Sequence, residues 1–413
     1  MSAVISPGYK QTEVGVIPGD WDVKAMGQIG TLVMGKGLLK EDIQPSGCIP
    51  AIPYTALYTD FSEVIDYAQI KWFVEAPNAP YVVNEPCVLI ASSSNMEANT
   101  GKAVALHESK QVAVGREVIS FKSSCDSRYI SYLLSTAFYR HRTLSVARGT
   151  TIKHLYPATF TGYVLAVPPL PEQRAIAAAL SDVDALLAKL DQLIAKKRDL
   201  KQAAMQQLLT GQNRLPGFSG EWEVKRLGDV AAMGSGGTPP SSVAAYYGGD
   251  FPWVSISDMT KGGKVITKTD KNLTEDGLAN SAAQMFPAGT ILYAMYASLG
   301  ECSIAGMPLC TSQAILGIRP QEKLNADFLY YYLSSLKNAV KSMGQQGTQA
   351  NLNKGMVQAF QLGLPTVKEQ LAIATTLSDM DTELAALEAR RDKTHALKQG
   401  MMQELLTGRI RLV

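Results

Sequence analysis

Apolar residues recur at alternating steps of three and four at Leu180, Val183, Leu187, Leu190 and Ile194. That spacing predicts a helix with a coiled-coil seam. The same seam returns 197 positions later (369 − 172) at Leu377, Met380, Leu384 and Leu387, inside EQLAIATTLSDMDTELAAL, which echoes EQRAIAAALSDVDALLAKL from Glu172. Basic residues interrupt both seams at one depth: Lys196, Lys197 and Arg198 in the first copy, Arg390, Arg391 and Lys393 in the second. Leu200, Ala204 and Leu208 resume the apolar pattern in the first copy. Each copy ends in LLTG, whose Gly211 and Gly408 are natural helix stops. Pro171 suits a first helical turn, and Thr366 with Glu369 forms a capping box whose first position is Pro169 in the other copy. About 40 residues at ~1.5 Å each predict a rod of roughly 60 Å.

Ahead of each helix the pattern shortens to strands punctuated by Gly, Pro, Asn and Ser: CIPAIPYTAL (Cys48–Leu57), YVVNEPCVLIAS (Tyr81–Ser92) and GREVISF (Gly115–Phe121). Tyr129–Leu144 then reads as helix, with Tyr129, Tyr132, Leu133 and Phe138 inward. The second half repeats the plan loosely. EWEVKRLGDV mirrors DWDVKAMGQI, FPWVSI (Phe251–Ile256) aligns with IPYTAL (Ile52–Leu57), PAGTILYA with NEPCVLIA, and FLYYYLSS with YISYLLST. A period this long means two fused copies of one domain-plus-helix module, with retained scaffold and different loops. The expected segments are 1–167, a mixed domain; 168–211, a long helix; 212–365, a second mixed domain; and 366–413, a second long helix. The fold class is α+β. Closing such a duplicated chain predicts that the two helices pair antiparallel as a coiled coil, in a circular pseudo-twofold arrangement that brings the termini together.

Composition adds little beyond an ordinary globular chain: 46% hydrophobic, 18% charged, net charge +2. No apolar run reaches membrane-spanning length and no secretory signal is visible, so the expectation is cytoplasmic. Five cysteines without a CxxC pair fit a reducing compartment and argue against a disulfide framework or structural zinc. Charge distribution says more. No acid occurs from Ser127 to Pro171, where Arg128, Arg140, Arg142, Arg148 and Lys153 lie, nor from Phe328 to Lys368, where Lys337, Lys341, Lys354 and Lys368 lie. Two acid-free windows at equivalent places favour a surface that meets a polyanion.

Motifs for chemistry are few. Four histidines without H-E-x-x-H give no metal centre. GSGGTPPS (Gly234–Ser241) lacks the phosphate-loop pattern and reads as a turn or groove-contacting loop, with Gly237, Thr238 and Ser241 as candidate contacts. Asp182, Asp184, Asp379 and Asp381, placed in the first turns of the helices, read as a solvated or docking face. In the acid-free windows, Arg140, Arg142, Arg148, Thr150, Thr151, Lys153 and His154, and Lys341, Gln345, Gln346, Thr348, Gln349, Asn351 and Lys354, are the candidate readers. Arginine suits guanine, Gln and Asn suit adenine, and Lys holds phosphate. The bland alternative is a polar surface loop. Leu180, Leu187, Leu190, Lys197, Arg198, Leu377, Leu384, Leu387, Arg390 and Arg391 are the candidate helix-pairing and partner-docking positions.

The paired EQxAIAxxLSDxDxxL…LLTG helices, together with GGTPPS…FPWVSISDM, resemble the specificity subunit of type I restriction-modification enzymes along the whole chain. The resemblance implies that both mixed domains are target-recognition domains and both helices are conserved spacers. It implies no catalysis and no cofactor in this chain. Expected partners are double-stranded DNA, two adenine-methylating modification subunits using S-adenosylmethionine, and restriction subunits using ATP and Mg. It further implies a bipartite target with half-sites about one helical turn (~34 Å) apart, asymmetric because the loops differ. The first domain lacks the GGTP stretch, so its contacts are less defined. A stand-alone methyltransferase is the rival reading, but the chain has no [DNS]PP[YFW] motif or glycine-rich cofactor turn. A coiled-coil scaffold that does not bind DNA is the other.

Overall fold

The computed structural model describes residues 5–79, 81–344 and 351–412. The chain divides into two compact units, Met1–Asp191 with Ala389–Val413, and Gln192–Glu388. The two long helices, Leu170–Leu208 and Val367–Leu405, are each split between the units, so a unit contains half of each.

In unit 1 the main sheet is antiparallel, in the order Ala103–Leu106, Cys87–Ala91, Val118–Ser123, Gly30–Met34. Cys87–Ala91 is buried at every position, which is why it reads as a continuous apolar run. Its residues still alternate by face. Val88 and Ile90 pack with Ile119, Phe121, Tyr129, Tyr132 and Leu180. Leu89 and Ala91 pack with Ile52, Val112 and Val114 of a second sheet. In that sheet Ile49–Ile52 runs parallel to Val112–Val114.

Unit 2 repeats this plan. Its main sheet has the order Ala231–Ser235, Ile315–Pro320, Ile291–Ala294, Cys302–Ala305, with Val265–Ile266 added at the edge. Tyr247–Val254 pairs parallel with Cys310–Thr311. Each unit also carries a two-stranded ribbon leading into its long helix: Asp22–Ala25 with Val164–Val167, and Glu223–Arg226 with Gln361–Leu364.

Three local expectations are corrected. Register places Ile52 opposite Val114 and Val254 opposite Thr311, so FPWV (Phe251–Val254) matches IPAI (Ile49–Ile52), not IPYT. The helix expected over Tyr129–Leu144 breaks at Thr136, between Ser127–Ser135 and Ala137–Val146. The Thr136 hydroxyl and amide both bond the Leu133 carbonyl, a local alternative to the helical ladder. Beyond the break Phe138 turns outward and is 45% exposed. The Asp182–Asp184 and Asp379–Asp381 pairs lie three turns into their helices, not in the first.

The helix halves run antiparallel within each unit. In unit 1, Lys398 Nζ lies 2.7 Å from Asp184, and Arg391 lies 3.8 Å from Asp191. In unit 2, Lys201 pairs with Asp381, and Lys197 with Glu383 at 2.7 Å. In both, numbers rise on one helix as they fall on the other. Leu180, Leu187, Leu190, Ile194, Leu377 and Leu384 are buried, while Leu387 is half-buried. Truncating one of the fully buried leucines to alanine costs roughly 2–5 kcal/mol. Arg198 bonds Glu388, so three of the seam-interrupting bases join the helices electrostatically; Arg390 is exposed. Asp184 and Asp381 are likewise engaged and also accept hydrogen bonds from Tyr132 (2.7 Å) and Tyr331 (2.6 Å).

Closure is achieved by the same residues in both units. In unit 1, Arg411 pairs with Glu172 and Asp20, Trp21 Nε1 donates to Glu172 at 3.0 Å, and Tyr9 donates to the Gly408 carbonyl. Segments 9–21 and 408–411 therefore meet. In unit 2, Arg214 pairs with Glu369 and stacks on Trp222. Glu369 is thus committed to Arg214, and of the expected capping box only the Thr366 half forms, accepting from the Glu369 amide at 3.4 Å.

Candidate nucleic-acid interface

The exposed loops of unit 1 converge because backbone hydrogen bonds lace them at one end of the main sheet. Gly35 N–H donates to Val118 O (2.8 Å), Ser92 N–H to Glu117 O (2.9 Å), and Leu155 N–H to Ser92 O (2.8 Å). Unit 2 has the equivalent lacing: Gly236 to Ile315 (3.1 Å), Met295 to Ala314 (2.8 Å), and Leu352 to Met295 (3.1 Å). A side chain at Gly35 would put its Cβ 2.1 Å from Gly115 O, and one at Gly236 would meet Thr311 at 2.2 Å. Glycine at both strand exits is a steric requirement.

In unit 1 the readers expected from the acid-free window separate into two groups. Arg148, Thr150, Thr151, Lys153 and His154 share one hairpin, closed by Arg148 N–H to His154 O (2.9 Å) and His154 N–H to Arg148 O (2.7 Å). Gly149, at φ +113°, makes its turn. Arg148, Thr150 and Thr151 are exposed, Ile152 projects at 47% exposure, and Lys153 and His154 are half-buried. Arg140 and Arg142 belong behind this surface. Arg140 donates to the carbonyls of Glu97, Ala98 and Thr100 at 2.7–3.1 Å, and burial lowers its guanidinium below the usual arginine range. Arg142 stacks against Phe138 and Tyr163, with its Nη1 buried. The window reads as one surface in sequence, but the carbonyls of Glu97–Thr100 hold the Arg140 head and the Phe138 and Tyr163 rings hold that of Arg142.

The hairpin strand Lys153–His154 pairs antiparallel with Ser93–Ser94. His154 Nδ1 lies 2.8 Å from Ser93 Oγ, and that hydroxyl donates to the Glu117 carboxylate.

In unit 2, Gly237 is buried. Its carbonyl accepts from Trp253 Nε1 (3.0 Å), and a Cβ there would sit 2.1 Å from Ala283 N. It shapes the loop and offers no side chain. Thr238 and Ser241 are exposed, and Thr238 Oγ1 accepts from Gln313 N–H at 3.3 Å. Gln313 adjoins Ala314, and Asn351 adjoins Leu352, so the lacing brings the GGTP loop and the Asn351 loop together. Asn351 and Lys354 are exposed there; Lys341 is exposed on the helix Lys337–Gly344. Gln345, Gln346, Thr348 and Gln349 lie outside the described residues.

Residues not foreseen also line these faces. Lys36 and Lys40 extend from the Gly35 exit, making MGKGLLKED the counterpart of GGTPPS, and Arg116 occupies the place of Gln313. The signal was a glycine directly after the strand Gly30–Met34 or Ala231–Ser235, Gly35 or Gly236. Tyr296, 37% exposed, follows Met295 in unit 2. The two faces therefore differ in chemistry: unit 1 offers Lys36, Lys40, Arg116, Arg148 and Lys153, and unit 2 offers mainly hydroxyls, amides and an aromatic ring. Among the described residues no cluster of three or more His, Cys, Asp or Glu could hold a metal ion, and no helix is long and apolar enough to cross a membrane.

The chain resembles known proteins along nearly its full length. It is 25% identical over 420 residues to the type I restriction enzyme MjaVIII specificity subunit of Methanocaldococcus jannaschii, covering 96% of this chain and 94% of that protein. It is 21% identical over 420 residues to the type I restriction enzyme EcoKI specificity subunit of Escherichia coli, covering 95% and 89%. The crystal structure of the type I restriction-modification S subunit from M. genitalium superimposes with a TM-score of 0.60 at 16% identity, over 93% of this chain and 96% of that one. The family model for the type I restriction modification DNA specificity domain matches twice, over residues 18–196 and 219–394. Two matches that take in both units and most of both long helices place the chain in the type I restriction-modification DNA specificity family.

Proposed function

We propose that this chain is the sequence-reading subunit of a cytoplasmic type I restriction-modification complex. Residues 1–167 and 212–365 act as its two recognition domains, and 168–211 and 366–413 as its spacer helices. The carrying observation is that both units lace the same loop ends with equivalent backbone bonds and then hang different side chains from them. One scaffold with two loop sets suits two different half-sites, hence an asymmetric bipartite target. The cationic face of unit 1 supports phosphate contact and guanine reading; the amide- and hydroxyl-rich face of unit 2 supports contacts to base edges, with Lys354 available to phosphate.

In this reading catalysis belongs to other chains. Modification subunits supply adenine methylation with S-adenosylmethionine, and restriction subunits supply ATP- and Mg-dependent translocation and cleavage. With a net charge of +2, this chain holds DNA weakly alone and tightly in the complex. The test is to replace residues 1–165 by those of a relative and sequence the methylated genome. One half-site changes and the other stays; an unchanged target overturns the reading.

A further inference from the structure

Within that proposed reading, on which this inference rests, we infer that His154 is a base-reading residue of unit 1 whose neutral ring presents a hydrogen-bond acceptor, its Nδ1–H tautomer set by Ser93 and Glu117. Glu117, as a carboxylate, can only accept, so the single hydroxyl hydrogen of Ser93 is committed to it. Ser93 Oγ, 2.8 Å from His154 Nδ1, then has only lone pairs to offer, so Nδ1 must carry the hydrogen. In the neutral ring Nε2 is left as a bare acceptor.

The relay is rigid. Ser93 is 7% exposed, its strand pairs with Lys153–His154, and Ser92 bonds the Glu117 backbone from the other side. Ser92 Oγ adds a second, longer donor to the same Glu117 oxygen at 3.4 Å. Among the described residues Nε2 makes no hydrogen bond, and it is not one of the buried unpartnered atoms, so it is open to solvent on the hairpin that also carries Arg148, Thr150 and Thr151. In the major groove an acceptor recognises an exocyclic amine, the N6 of adenine or the N4 of cytosine, and rejects the O6 of guanine and O4 of thymine. His154 is the specificity-determining group, and Ser93 and Glu117 are positioning residues.

The test pairs spectroscopy with sequencing. Nitrogen-15 correlation spectra of the full chain at neutral ring protonation should report the Nδ1–H tautomer for His154, and Ser93→Ala should shift it toward a mixture. In the complex with its modification subunits, His154→Ala and Ser93→Ala should relax one adenine or cytosine position of one half-site, by roughly ten- to a hundredfold in discrimination. The other half-site stays as an internal control for folding, and Ser93→Thr, which keeps the hydroxyl, should restore selectivity. An Nε2–H tautomer in the wild type, or unchanged base preference in both alanine variants of a complex that is otherwise sequence-specific, overturns the inference. A wild-type complex without sequence-specific methylation instead overturns the functional reading beneath it.

Discussion

Arg411 grips Glu172 with two nitrogens, Nε 2.5 Å from Oε1 and Nη2 2.8 Å from Oε2. Glu172 is fully buried, and the indole of Trp21 completes its coordination. Removing one member of such a pair leaves a desolvated charge, which costs far more than the pair contributes net. Arg411→Ala should therefore lower the stability of unit 1 by about 3 kcal/mol or more. Replacing both partners, Glu172→Leu with Arg411→Leu, should recover part of that loss. Chemical denaturation followed by Trp21 fluorescence, in a background where the other tryptophans are replaced by Phe, would measure both; an equal loss in single and double variants would contradict the account.

Lys398 offers a pH-dependent counterpart. Burial pushes its ammonium pKa down, but Glu63 at 2.5 Å and Asp184 at 2.7 Å outweigh this and hold it above the ordinary 10.5. A raised folded value means that the stabilisation is complete below pH 10.5 and is lost as pH climbs through the folded value. Lys398→Met should cost roughly 2–4 kcal/mol at neutral pH by leaving two acids facing each other. From neutral pH up to 10.5 the gap to wild type should hold, and it should narrow above 10.5. A gap that already closes between pH 7 and 10 would reject the sign.

Which parts of this could be read from the sequence depends on how local the cause is. The seam leucines and the terminal Gly211 and Gly408 follow from periodicity and helix-end chemistry, and both glycines adopt positive φ, +71° and +70°. The repeat itself predicted antiparallel closure. What periodicity could not show is long-range charge pairing: the partner of Glu172 lies 239 positions away. For the same reason Asp184 and Asp381 read only as a solvated or docking face. The window around Arg140 and Arg142 shows a different limit. Composition is blind to the partners that engage a charge, here the Glu97–Thr100 carbonyls for Arg140 and the Phe138 and Tyr163 rings for Arg142.

The GGTP loop separates shape from contact within a few residues. Gly237→Ala would drive a Cβ to 2.1 Å from a backbone nitrogen, so the loop must move, at roughly 1–3 kcal/mol or more. Thr238→Ala and Ser241→Ala touch exposed side chains and should leave stability within about 0.5 kcal/mol. The expected pattern is reduced thermal stability for Gly237→Ala alone, with weakened recognition of the unit 2 half-site in all three variants. If the two exposed-residue variants methylate that half-site at the wild-type rate, the loop is scaffold only.

The same division can be made quantitative in unit 1 through salt dependence. Arg148 is exposed and Lys153 half-buried on the hairpin, whereas the Arg140 head is spent on three backbone carbonyls. A side chain that neutralises a phosphate releases counterion, so its loss flattens the slope of log affinity against log salt by about 1. Arg148→Ala and Lys153→Ala should each do so in the assembled complex, with melting temperature unchanged. Arg140→Ala should strip the Glu97–Thr100 loop of its donors and destabilise unit 1 by roughly 1–3 kcal/mol. Its salt slope should stay at the wild-type value under conditions where the chain remains folded. A flattened slope for Arg140→Ala would return that arginine to the binding surface and show that the loop opens when DNA arrives.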